Sequence, residues 1–182
     1  MPSSQTLYRA PLLPGNDAGN VTAETQFPNG RGTPLILALP SNNSLANHNF
    51  RVRVAGRVAT TSNLTFQVNV YFGINATIGS NTKIFSSGFQ QVSSVSSSFD
   101  IWIDLRWSNA SNGITGRGEG QVANHVVGPG TLLNTPLSAD PNRDSNQFLQ
   151  SGATYGFTIT GQFSGSSVGN HAFVDSFDLE ST

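Results

Sequence analysis

The 182-residue sequence contains no cysteine, and charged residues make up only 10% of it. Without thiols the chain forms no disulfide, holds no thiolate-bound metal and has no thiol nucleophile. An ordinary soluble domain carries about 25% charge. With so little charge and a net charge of -1, nothing draws this chain to nucleic acid or an anionic membrane. Long apolar runs are missing too. The opening stretch "MPSSQTLYRAPLLPGNDAG" has none that would make a signal peptide or a membrane span. The expectation is therefore a protein kept in the cytoplasm where it is made until it assembles. On that reading the N-x-S/T matches at Asn20, Asn42, Asn63, Asn75 and Asn109 are chance products of a chain rich in Asn, Ser and Thr.

What is present is 12 phenylalanines, enough to fill one core, and a length that suits one domain. Residues 1–34 show no helical or strand period. Pro2, Pro11, Pro14, Pro28 and Pro34 interrupt any regular element, and Gly15, Gly19, Gly30 and Gly32 add turns. Leu7, Tyr8, Leu12 and Leu13 nevertheless cluster there. The segment reads as an extended N-terminal arm. It is a disordered leader, a strand that closes a sheet of its own chain, or an arm that grips a neighbour through Tyr8, Leu12 and Leu13.

Residues 35–182 alternate with period two. In "NFRVRVAGRVATT", Phe50, Val52 and Val54 point one way and Arg51 and Arg53 the other, with Gly56 placed where a bulge would shift the register. "LTFQVNVYFG" puts Leu64, Phe66, Val68, Val70 and Phe72 on one face. "FDIWIDLRW" does the same with Phe99, Ile101, Ile103, Leu105 and Trp107. "TYGFTITGQF" and "HAFVDSFDLE" complete the set, and the longest connection is expected over 128–147. No stretch forms an amphipathic helix. The pattern predicts an all-β fold, a single antiparallel β-sandwich or jelly roll preceded by the arm.

Four constellations carry possible chemistry. Asp100 and Asp104 share the outer face of "FDIWIDLRW". Four residues of strand separate their backbones by roughly 13 Å. A glycosidase pair needs about 5 to 5.5 Å for retention or about 6.5 to 9.5 Å for inversion. The run resembles the acidic strand of jelly-roll glucanases, but those carry glutamates there. Trp102 lies on the same outer face and suits a sugar platform, an interface anchor or a ring covered by a loop. Arg51, Arg53 and Arg57 form a basic row that either pairs with Asp100 and Asp104 across strands or docks a negatively charged partner. His48, His125 and His171 lack the spacing of metal ligands. "GRGEG" at 116–120 lacks the lysine and helix of a phosphate loop and reads as a strand thinned for close approach. No catalytic residue, cofactor or metal site is expected.

The segments "FQVNVYFGINATIGSNTKIFSSG" and "GNHAFVDSFDLE" resemble those of small decoration, or cement, proteins of tailed-bacteriophage capsids. The resemblance runs from about residue 48 onward. It implies a jelly-roll homotrimer on the outer capsid surface at local three-fold positions, clamping adjacent major capsid subunits. Its partners would be itself and the major capsid protein, and its location the virion. The competing class is a tail-associated or lectin-like jelly roll that binds host glycans, for which Trp102, Trp107 and three tyrosines are available.

Overall fold

Strands whose side chains alternate between apolar and polar pack one face inward and leave the other outside, and two such sheets close on each other. A computed structural model shows this arrangement. It describes residues 5–13, 16–31, 33–38, 49–73, 81–92, 97–108, 113–122, 125–127, 133–136 and 156–181. Among them there is no α-helix. The strands are β1 (Gln5–Arg9), β2 (Thr25–Gln26), β3 (Ile36–Ala38), β4 (Asn49–Ala59), β5 (Thr65–Gly73), β6 (Thr82–Ser86), β7 (Gln90–Gln91), β8 (Ser97–Ser108), β9 (Gly113–Val122), β10 (His125–Val127), β11 (Leu133–Pro136), β12 (Gly156–Phe163) and β13 (His171–Ser181). The large sheet runs β1-β13-β4-β8-β9-β10, with β11 also on β9. The small sheet runs β2-β12-β5-β6, with β3 on β12 and β7 on β5. The pairings are antiparallel, as the sequence pattern predicts.

The core lies between the sheets. Phe50, Val52, Val54, Phe99, Ile101, Ile103, Phe177 and Leu179 enter from the large sheet, and Phe66, Val68, Val70, Phe72, Phe157, Ile159 and Phe163 from the small one. Aromatic rings join the layers. Phe99 tilts against Phe66 at 6.2 Å between centroids, and Phe50 against Phe157 at 6.3 Å. Each fully buried phenylalanine contributes about 1.5–3 kcal/mol. Trp107, expected inside, has its side chain outside the described set.

The expected bulge falls on a different strand. Gly56 pairs regularly with Phe99 and Val174, and the register slips instead in β13, between Val174 and Ser176. Gly56 is needed for space. A Cβ there would lie 2.1 Å from the Phe173 carbonyl oxygen and 2.3 Å from the Phe99 ring. Gly118 of the "GRGEG" run likewise makes room, for the Phe85 ring of the opposite sheet.

The N-terminal segment is extended, and it is held by its own chain. β1 pairs with β13, and the Ala10 N–H donates to the Phe177 carbonyl at 2.8 Å. The chain then crosses to the small sheet, where the Phe27 N–H donates to the Ile159 carbonyl at 3.1 Å. Phe27 is fully buried between the sheets. Gly19 turns the crossing with a φ of 64°. Asp17 braces that turn, accepting from the Gly19 and Ala172 N–H groups at 2.8 and 3.1 Å. Leu12 packs against the same core. Closure of the chain's own sheet, one of the readings of this segment, is thus present.

Candidate binding face

The central strands β13, β4, β8 and β9 of the large sheet set their polar residues outward, and their register aligns those residues in rows. One row runs Arg9, Asp178, Arg53, Trp102, Glu119 across five strands. The next runs Glu180, Arg51, Asp104.

The basic row closes on acidic partners within this face. Arg51 forks onto Asp104, with Nε donating to Oδ1 at 2.7 Å and Nη2 to Oδ2 at 2.9 Å. Arg53 reaches diagonally to Asp100 through Nε at 3.3 Å and Nη2 at 3.0 Å. Arg57 forks onto Asp175, its Nη2 donating to Oδ1 at 2.8 Å. Arg9 donates from Nε to Asp178 at 2.7 Å. These hydrogen bonds hold all four guanidinium groups above their ordinary pKa. The cross-strand pairing expected for Arg51 and Arg53 is thus present, and the face carries no bare positive stripe along Arg51, Arg53 and Arg57. Asp100 and Asp104 serve the same pattern. Each is forked to an arginine of β4.

Trp102 sits half-buried at the centre, with Arg53 in register on one side and Glu119 on the other. Toward one end of the sheet, Arg57 lies over the Phe173 ring at 5.3 Å, and Phe173 stacks on His171 at 6.2 Å. The His171 Nδ1 is 2.7 Å from Asp17. His48 lies outside the described residues. Among the described residues no cluster of His, Asp or Glu could hold a metal. Of the other candidate contacts, Tyr8 pairs through its backbone with Leu179, and Leu13 is half-buried with its N–H on Asn29.

The outer face of the small sheet holds residues that the sequence pattern did not single out. Glu24, just before β2, places Oε1 where three donors converge: Asn69 Nδ2 at 2.7 Å, the Tyr71 hydroxyl at 2.6 Å and Thr160 Oγ1 at 2.7 Å. Lys83, the chain's only lysine, lies 3.4 Å from Oε2 and 5.3 Å from the Tyr71 ring centroid. Burial pushes the Glu24 pKa up. The hydrogen bonds from Tyr71, Thr160 and Asn69, with the charge of Lys83, outweigh that and leave it lowered. The available signal was weak: a tyrosine and an asparagine on the polar side of an otherwise ordinary strand.

Compared with known proteins, the chain matches no family model and no curated protein. Among solved structures it is similar to the CBM2 module of the evolved Dit of Lactobacillus casei BL23 phage J-1. The identity is 12%, the alignment covers 97% of this chain and 95% of that one, and the TM-score is 0.41.

Proposed function

We propose that the chain is a structural protein of a bacteriophage virion, a capsid decoration protein that binds the outer shell as a homotrimer and stabilises contacts between major capsid subunits. The observation that carries this reading is the internal closure of charge. The four described arginine side chains of the large face each hold a carboxylate of the same chain, and the net charge is -1. Copies of such a module can crowd on a shell without repelling one another, and a partner can cover these four arginines without leaving any of them unpaired. Closed symmetry is the usual outcome when identical chains share an interface. The test is co-sedimentation of the purified protein with purified expanded capsids. Saturable binding that raises the temperature of capsid disruption is expected. A protein that stays monomeric and leaves capsids unchanged would refute the proposal.

A second reading is favoured by Trp102: a lectin-like module, on the capsid or the tail, that binds glycans of the host surface. A half-buried indole in the middle of a charge-paired sheet suits a ligand that stacks on the ring and exchanges hydrogen bonds around it. Binding to host cells in the absence of capsids would support this reading over the first.

A further inference from the structure

We infer that the outer face of β4, β8 and β9 is a binding site for a neutral oligosaccharide, with Trp102 as its stacking platform. The inference rests on the glycan-binding reading and gives it a place and a ligand class. It holds whether the module sits on a capsid or on a tail.

The ring is central. Asp100 and Asp104 lie two residues away on either side of it along β8, on the same face, so a fork stands at each end of Trp102: Arg53–Asp100 and Arg51–Asp104. Each arginine of these forks engages its aspartate through Nε and Nη2. The N–H groups of Nη1 therefore have no partner among the described residues. The side chains of Asp104 and Asp100 are 51% and 42% exposed, so their remaining lone pairs face water. The strip thus offers an aromatic surface flanked at both ends by a planar donor beside a planar acceptor.

Charge decides the ligand class. A phosphate or acidic sugar would have to compete with carboxylates already forked to the arginines, and would meet Glu180 opposite Arg51. A cation would meet the paired guanidinium groups. A neutral pyranose meets neither obstacle. Its C–H face lies on an indole, and its rim of hydroxyls donates to a carboxylate and accepts from Nη1. The carboxylates of the two forks, Asp100 and Asp104, are separated by roughly 13 Å of strand, longer than one sugar ring, so the ligand is a chain of sugars.

The test is isothermal titration of the full chain with cellohexaose, laminarihexaose and xylohexaose, and with a hyaluronan hexasaccharide as the anionic probe. The wild type is expected to bind at least one neutral probe and not the anionic one. Trp102→Ala should weaken that binding about tenfold or more. Trp102→Phe should fall between them, and Arg53→Gln, which opens one fork but keeps the ring, should weaken it severalfold. Circular dichroism checks the fold of each variant. If Trp102→Ala does not fold, the Phe and Gln variants decide the matter. A neutral probe bound equally by wild type and variants would overturn this site and leave glycan binding standing elsewhere on the molecule. Binding of no probe, or of the anionic one alone, would overturn both.

Discussion

The two outer faces of the sandwich are built from the same sequence pattern and end in opposite states. On the large sheet the forks on either side of Trp102 stay in water: Arg53 and Asp104 side chains are 47% and 51% exposed, and their pairing is closed within the sheet, although Asp178 of the same face is buried. On the small sheet the outward residues Asn69, Tyr71, Thr158 and Thr160 are buried, and a single carboxylate from the N-terminal segment gathers three of them. Exposed pairs contribute about 0–1 kcal/mol, because water competes with them and two long side chains must be ordered. Buried donors have no such alternative, and leaving one unpartnered costs about 1–3 kcal/mol. The first face is therefore free to change with little effect on the fold. The second is part of the fold.

The sharpest break of this comparison is removal of the N-terminal segment. Read from sequence, the body begins near residue 35 and should survive loss of residues 1–30. Deletion, however, takes β1, β2, Glu24 and Phe27 together. The truncated chain should fail to give a cooperative thermal transition. Phe27→Ala alone should cost about 3–5 kcal/mol in urea unfolding. A truncated protein as stable as the full chain would show that the segment is only laid on the surface.

Glu24→Ala comes next. It strands the Asn69, Tyr71 and Thr160 donors and should cost about 2 kcal/mol. Its pH dependence has a definite sign. The folded Glu24 pKa lies below its ordinary value of 4.5, so its contribution is complete above that value. It is lost as the pH falls through the folded value. Denaturant midpoints measured on either side of pH 4.5 should show an acid loss that Glu24→Gln reduces.

Thr158→Val should act in the opposite direction. Its buried Oγ1 has no hydrogen-bond partner among the described residues, so removing the hydroxyl should leave stability unchanged or raise it by about 1 kcal/mol. A clear loss would reveal an ordered water on that face. The smallest effect belongs to the large face. Asp100→Asn and Asp104→Asn should each change stability by about 0–1 kcal/mol, measured by the same unfolding curves. A cost as large as that of Glu24→Ala would erase the distinction between the faces.

Period-two alternation is a local signal, and it was enough to place β4, β5, β8, β12 and β13 and the residues they bury. Charge along one strand was enough to suggest the arginine pairing, because cross-strand partners in a sheet are near neighbours. Other features depended on contacts remote in sequence. Glu24 meets Asn69 and Thr160 from 45 and 136 positions away, and nothing in "VTAETQF" marks the meeting. Phe27 looked like part of a tail because prolines and glycines surround it, yet an extended backbone needs no period to be an edge strand. The bulge went to β13 rather than Gly56 because glycine signals tight space as readily as irregular register. Trp102 was legible as an outward ring, but the two forks beside it became visible only with the register.

β13 lies between β1 and β4 and is synthesised after both. While the chain is emerging from a ribosome, β4 can pair with β8, but its other edge and all of β1 wait for residues more than a hundred positions downstream. Closure of the large sheet is thus a late, long-range step, of the kind that makes β-sandwiches fold slowly. Until it happens, one edge of β4 stands open to pairing with another chain. Arg51 and Arg53 then already hold Asp104 and Asp100 of β8, whereas Arg57 waits for Asp175 of β13. Its uncompensated charge beside the open edge would disfavour pairing of two nascent chains there.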